Sequence, residues 1–222
     1  MNEIYFAEIS DRADSAVMQQ FMSVISIQRQ QQIRSMRFEI DRKLRLYSEA
    51  LLRSRLCSLL SIQNKEIHFA VNEFGKPYLP DFPGIHFNIS HTRNALIMGI
   101  GDKNVGVDIE RINKADQSVA QKVFTDHEVA YIYAENDQID KRFAEIWTRK
   151  EAYAKWTGTG WSSAVQGEDV LCGINAFRIA ARQMDKYMVS VCSDSADTYS
   201  DVIRNTEEQL YSITHNLILP QG

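Results

Sequence analysis

Asp108 and Glu110 stand two residues apart in the run Val105-Gly106-Val107-Asp108-Ile109-Glu110, which reads as a buried strand. Side chains two apart on a strand point the same way, so Val107 and Ile109 face a core while Gly106, Asp108 and Glu110 share the other face. Gly106 leaves room there for something to approach. Paired acids of this kind suit a hard cation such as Mg²⁺, which takes one or two protein carboxylates and completes its shell with water and phosphate oxygens. The alternative is a strand end whose acids meet solvent. Further along, Trp147-Thr148-Arg149-Lys150-Glu151-Ala152-Tyr153-Ala154-Lys155 places Glu151 and Lys155 four apart, on one face of a helix. Either they form an exposed ion pair worth ~0.3–0.5 kcal/mol, or Glu151 is a third metal ligand and Lys155 a compact charge beside a phosphate. Lys76 sits in a Gly-Pro loop and His91 immediately follows a strand that ends in Ser90; either residue is plain surface or a ligand contact. From such positions a rigid scaffold presents side chains to a ligand.

These residues need elements to hold them. Residues 4–9 read as a first strand, and Asp14 as the N-cap of a helix reaching residues 21–25. Residues 28–37 form a second helical pattern. A third starts at Asp41, its expected cap, and carries Leu44, Leu51, Leu52, Leu56 and Leu59 at amphipathic spacing. Residues 67–71 read as a short strand and 72–84, with Gly75, Pro77, Pro80 and Pro83, as loop. Strands at 85–89 and 95–100 are joined by residues 90–94, and 101–104 turns the chain into the Asp108 strand. A helical segment follows at 118–123, and Thr125 or Asp126 caps the next. Residues 139–156 give the strongest helix of the second half, with Phe143, Ile146, Trp147 and Ala154 on one stripe and Thr157-Gly158-Thr159-Gly160 to end it. Beyond Asp169 only short β-type runs appear, at 176–180, 187–192 and 210–219. Both halves pass from helices to short strands, which implies an α+β fold of two similar lobes, 1–104 and 105–222.

At 222 residues, 44% hydrophobic and 10% aromatic, the composition supports a buried core in one large domain or two small ones. The first residues carry no basic start and no long apolar run, and no stretch is long and apolar enough to span a bilayer. Cys57, Cys172 and Cys192 are scattered, form no metal-ligand spacing and fit a reducing cytoplasm. The net charge of −4 divides unevenly: 13 Lys and Arg oppose 11 Asp and Glu in residues 1–104, and 12 oppose 18 in the remainder. Basic side chains gather between Arg29 and Arg55, either as a solvated helix face or as the seat of a polyanion. Without aromatic interleaving or a basic overall balance they do not indicate nucleic acid.

Taken together, Val105-Gly106-Val107-Asp108-x-Glu110, Phe124-Thr125-x-x-Glu128 and Trp147-x-x-Lys150-Glu151-x-x-x-Lys155 resemble the signature of the 4'-phosphopantetheinyl transferase superfamily. Phe74-Gly75-Lys76-Pro77-Tyr78, Phe87-Asn88-Ile89-Ser90-His91-Thr92 and the helical segment from Asp41 to Arg53 resemble further motifs of its surfactin-type branch. The resemblance covers about residues 21–160. It implies a cytoplasmic monomer of two similar α+β lobes with coenzyme A and Mg²⁺ in the cleft between them. The implied reaction moves the phosphopantetheine arm of coenzyme A onto a serine of an acyl or peptidyl carrier protein, of fatty-acid, polyketide or nonribosomal peptide assembly. By position, Asp108, Glu110 and Glu151 would hold Mg²⁺, Lys155 would contact the pyrophosphate, and Lys76, Ser90 and His91 would grip the nucleotide end. Glu128 matches a proposed base, which a metal-bound Glu151 would otherwise provide. The sequence departs from the family at Leu44, where an arginine is common, and at Gln32, so Arg45 and Arg29 are the expected contacts to the 3'-phosphate. Two other readings of the same residues are a Mg²⁺-dependent nucleotide pyrophosphohydrolase and a non-catalytic module that binds coenzyme A.

Overall fold

The computed structural model describes residues 2–12, 15–172, 178–194 and 202–217, and its architecture is α+β. β1 (Glu3–Glu8) opens the chain, and α1 (Ser15–Ser23) and α2 (Ile27–Arg34) lead into the long α3 (Glu39–Leu60). The two-residue strands β2 (Ala70–Val71) and β3 (Pro77–Tyr78) pair across the turn at Gly75, whose φ of +83° is left-handed and favours glycine. Next come the hairpin of β4 (His86–Thr92) and β5 (Ala95–Gly101), then β6 (Val105–Arg111). α4 (Gln117–Val123), α5 (Asp126–Tyr133), α6 (Ile139–Thr157) and α7 (Ser163–Gly167) follow. The chain closes with β7 (Arg178–Met184), β8 (Tyr187–Ser193), β9 (Val202–Asn205) and α8 (Glu207–Thr214).

Period-two alternation stacks these elements into layers. One sheet runs β4-β5-β1-β9 and a second runs β6-β8-β7. Tyr5, Ala7, Leu96, Met98 and Ile100 join Leu44, Tyr47, Leu51 and Leu56 of α3 in one core. Their neighbours on the opposite face, Ile4, Phe6, Ala95 and Ile97, pack against Val105, Val107, Ile109, Val189 and Val191 of the second sheet. Burying each such side chain stabilises by ~1.5–3 kcal/mol, so a one-residue slip that reversed the faces of β1 or β6 is strongly disfavoured. α6 covers the far side of β6 and β8. The order through the molecule is therefore α3, sheet, sheet, α6.

The space at Gly106 is taken by α6 itself. A Cβ there would lie 2.1 Å from the Ala152 carbonyl oxygen and 2.4 Å from the Trp156 nitrogen, so only glycine lets the helix approach the strand this closely. Gly158, at φ +72°, caps the helix in the left-handed conformation, as its position after the periodic stretch implies.

Several elements differ from the sequence reading. Asp41 lies within the first turn of α3, and Phe38 occupies the cap position without a side-chain cap bond; Asp14 lies outside the described residues. Only Ala70–Val71 of the expected strand at 67–71 pairs, and its partner Pro77–Tyr78 lies inside the expected loop. β4 continues through Thr92, which shortens the connection to a turn with Asn94 at φ +66°. Of the run expected at 176–180, residues 178–180 open β7 and the first two lie outside the described residues. The run at 210–219 is helical as far as it is described, because Thr206 and Gln209 form a capping box that starts α8. Unforeseen from the sequence, β9 pairs parallel with β1. Nor is the basic stretch of α3 a solvated face. Lys43 and Arg53 are buried, Lys43 paired with Glu207 of α8 and Arg53 with Glu49.

Candidate active site

Asn88, Ser90 and Thr92 alternate along β4, so all three share one face, and that face meets β6. Asn88 Oδ1 accepts from the Val107 amide at 2.9 Å, Ser90 Oγ donates to Asp108 Oδ1 at 2.8 Å, and Thr92 Oγ1 donates to Glu110 Oε2 at 3.1 Å. These bonds join the first sheet to the second along one edge and fix one oxygen of each acid. From α6, Lys155 Nζ donates to Asp108 Oδ1 at 2.6 Å and to Ser90 Oγ at 2.9 Å. Lys155 thus pairs with Asp108 rather than with Glu151, its neighbour one turn back. Side-chain exposure of 28% for Lys155 against 4% for Asp108 leaves the ammonium able to reach a ligand while the carboxylate is held. Thr92 and Asn88 were missed in the sequence, although the period-two spacing from Ser90 points to both.

The sequence reading assigns Asp108, Glu110 and Glu151 to a cation. Asp108 Oδ2 is buried and has no hydrogen-bond partner, a costly state for a carboxylate oxygen. Glu151 makes no hydrogen bond or ion pair among the described residues. Burial first, then the Asp108 charge, pushes the Glu110 carboxyl up to about 7, and the same two causes raise that of Glu151. Oxygen donors of this kind suit a hard divalent ion, although one oxygen from each of the three does not lie within 4.8 Å of the other two as the side chains stand. A cavity of about 1380 Å³ beside β1, α1 and α8 is lined by none of these residues.

Glu128 has another task. It is fully buried with Lys150 at 3.0 Å, both side chains 0% exposed. Its Oε2 also accepts from the Thr125 amide at 2.8 Å, closing a capping box for α5, and its Oε1 accepts from the Val170 amide at 2.9 Å. Lys150 Nζ completes its shell with the Glu168 carbonyl at 2.7 Å and the Gln166 carbonyl at 2.9 Å. The pair ties α5, α6 and the 168–170 turn together, and no oxygen of Glu128 is left for a substrate.

A cationic group lies on the first-sheet side. Arg45 is half-buried and makes no hydrogen bond or ion pair among the described residues; burial and the nearby Arg29 lower its pKa. His91 is held down to about 4 by burial, then by Arg45 and by Lys155. Arg29 is partly neutralised by Glu49 at 2.7 Å. With Arg29 paired to Glu49, His91 neutral and Asp41 close by, Arg45 is the guanidinium of this group without a fixed partner among the described residues and so the one best placed to meet a phosphate. Leu44 is 1% exposed in the α3 core, so no guanidinium fits there, while Arg45, one residue on, lies close enough to His91 to lower its pKa. Lys76 stands apart from this group. Its ammonium donates to Asn104 Oδ1 at 3.1 Å and to the Trp156 carbonyl at 3.2 Å, beside a cavity of about 180 Å³ that His86 also lines.

Two strand-borne acids with a helix-borne acid and lysine, and Arg45 and His91 close to that lysine, are residue types that suit an enzyme acting on a phosphate-bearing substrate. The comparisons with known proteins specify which. The family described as the 4'-phosphopantetheinyl transferase superfamily matches residues 104–210, and that described as 4'-phosphopantetheinyl transferase, N-terminal, matches residues 12–99. The 4'-phosphopantetheinyl transferase gsp of Aneurinibacillus migulanus is 38% identical over 164 residues, 72% of this chain and 67% of that protein. The 4'-phosphopantetheinyl transferase Sfp of Bacillus subtilis is 30% identical over 145 residues, 65% of each chain, and HetI of Nostoc is 32% identical over 117 residues, 50% of this chain and 49% of that one. The matches thus span about two thirds of the first two relatives. The chain belongs to the 4'-phosphopantetheinyl transferase superfamily, with relatives of the surfactin type.

Proposed function

We propose that this phosphopantetheinyl transferase moves the 4'-phosphopantetheine arm of coenzyme A onto the serine of an apo acyl or peptidyl carrier protein, with Mg²⁺ held by Asp108, Glu110 and Glu151. The observation that carries this reading is the split role of Asp108: Oδ1 is fixed by Ser90 and Lys155, while Oδ2 is buried and unpartnered. Mg²⁺ bound there supplies charge neutralisation for the pyrophosphate, usually the largest contribution to such a reaction. Lys155 has three donors, two of them on Asp108 and Ser90, and turns the third to a phosphate oxygen. The carrier serine Oγ attacks the phosphorus that bears the pantetheine arm. The bond from that phosphorus to the bridging oxygen breaks, and adenosine 3',5'-bisphosphate leaves. Glu151 would take the serine proton, directly or through a bound water, because its carboxylate has no partner in the fold other than the ion it would hold, whereas every oxygen of Glu128 is committed to the fold. Arg45, Arg29 and His91 hold the 3'-phosphate, and Lys76 borders the nucleotide end.

Two similar lobes, 1–104 and 105–222, frame the cleft in this reading. Their topology supports it: β1 with the β4–β5 hairpin under α3 repeats as β6 with the β7–β8 hairpin under α6, while residues 202–217 return to the first sheet. The chain acts as a cytoplasmic monomer with neither nucleic acid nor membrane as partner. No helix among the described residues is long and apolar enough to cross a membrane.

Mass spectrometry of an apo carrier protein incubated with this chain, coenzyme A and Mg²⁺ tests the proposal. The expected product is a carrier heavier by one phosphopantetheine group, with Asp108→Asn inactive in the same assay. Cleavage of coenzyme A with the carrier unmodified would make the protein a pyrophosphohydrolase. Binding with neither outcome would leave a non-catalytic module.

A further inference from the structure

We infer that His127, Asp169 and Cys172 form a second metal site, separate from the acid cluster, which takes a zinc-class transition-metal ion and clamps the 168–172 turn to the start of α5. One ligand atom from each of the three lies within 4.8 Å of the other two. His127 Nδ1 is 2.7 Å from Asp169 Oδ2, and the Cys172 thiol donates to the same carboxylate. A tetrahedral zinc shell, with Zn–N of about 2.0 Å and Zn–S of about 2.3 Å, spaces its ligands by somewhat less than that, so small side-chain shifts close the set. The donor types decide the ion. One imidazole, one thiolate and one carboxylate favour zinc over Mg²⁺, the reverse of the preference of three carboxylates.

The site is also braced and open. The Leu171 amide donates to Asp169 Oδ1 at 3.0 Å, and the Cys172 amide donates to the Asp169 carbonyl at 3.2 Å. Such outer bonds hold a ligand carboxylate in place. His127 and Cys172 are exposed, which lets the ion enter from solvent and leaves a coordination position for water. On binding, the Cys172 thiol gives its proton to solvent and the thiolate becomes a ligand. The same turn presents the Val170 amide to Glu128 and the Glu168 carbonyl to Lys150. An ion at this site therefore secures the back of the buried pair on which α6 rests.

The test is a Co²⁺ titration of the metal-stripped chain in excess Mg²⁺, which keeps the carboxylate cluster filled, followed by Zn²⁺ competition. Wild type is expected to show a thiolate-to-cobalt charge-transfer band that saturates at one equivalent and is displaced by Zn²⁺. The band should persist in Cys57→Ser, vanish in Cys172→Ser, and require about a hundredfold more metal in His127→Ala, at least the loss typical of a disturbed metal shell. Zn²⁺ should also raise the Tm of wild type but not of Cys172→Ser, whose substitution is on the surface and leaves the fold intact. A wild type without the band, or a band unchanged in Cys172→Ser, overturns the site.

Discussion

Gly106→Ala tests whether the approach of α6 to β6 sets the active site. The new Cβ would meet backbone atoms of α6 at 2.1 Å and 2.4 Å, and backbone cannot rotate aside as a flexible side chain can. Ordinary van der Waals contact begins at 3.4 Å, so the helix must retreat by about 1.3 Å or the strand must bend. Overpacking of this kind costs ~1–3 kcal/mol. At ~2–4 °C per kcal/mol for a chain of this size, the Tm should fall by ~2–12 °C. The kinetic effect should be larger, because Asp108 sits on the strand and Lys155 and Glu151 on the helix. A displacement of ~1 Å between reacting groups costs on the order of a hundredfold in rate. Thermal unfolding and carrier-transfer kinetics on the same preparation check both numbers. A variant with a wild-type Tm and an undiminished transfer rate would refute the claim that Gly106 exists to admit the helix.

Glu128→Gln should lower stability by ~3–5 kcal/mol, the cost of leaving Lys150 charged and unpaired in the interior; a loss of turnover with unchanged urea unfolding would instead make Glu128 the base. Arg45→Ala should weaken coenzyme A binding roughly tenfold or more while sparing 3'-dephospho-coenzyme A, since a charge-assisted hydrogen bond is worth ~1.5–3 kcal/mol. Calorimetry with both ligands cancels any damage to folding, and equal weakening of the two would remove Arg45 from the 3'-phosphate. His91 titrates near 4 in the fold against an ordinary 6.5, so between those values the unfolded chain binds more protons than the folded one. Its contribution is therefore fully present above the ordinary imidazole range and is lost as pH falls toward about 4. Urea unfolding of His91→Gln across that window should show a shallower fall than wild type, and an identical slope would contradict the burial of a neutral ring.

Much of the site was legible because strands and helices have fixed periods. Asp108 and Glu110 share a strand face by the alternation that buries Val107 and Ile109, and Gly158 ends α6 because only its backbone turns there without strain. The family resemblance rests on the same spacings, and the comparisons bear it out. Spacing, however, is one-dimensional. It put Glu151 and Lys155 side by side, yet Lys155 reaches across to Asp108, whose carboxylate, 4% exposed, holds the ammonium at 2.6 Å. It matched Glu128 to a base, while the structure spends every oxygen of that residue on Lys150, a cap and the 170 turn. It saw room at Gly106 that α6 fills, and it counted Cys172 as isolated when folding brings His127 and Asp169 beside it. The contacts of Lys155 with Asp108, of Glu128 with Val170 and of His127 with Asp169 join residues 40 or more apart, and no local period encodes them. They follow from which faces must be buried together, and only the packed chain settles that.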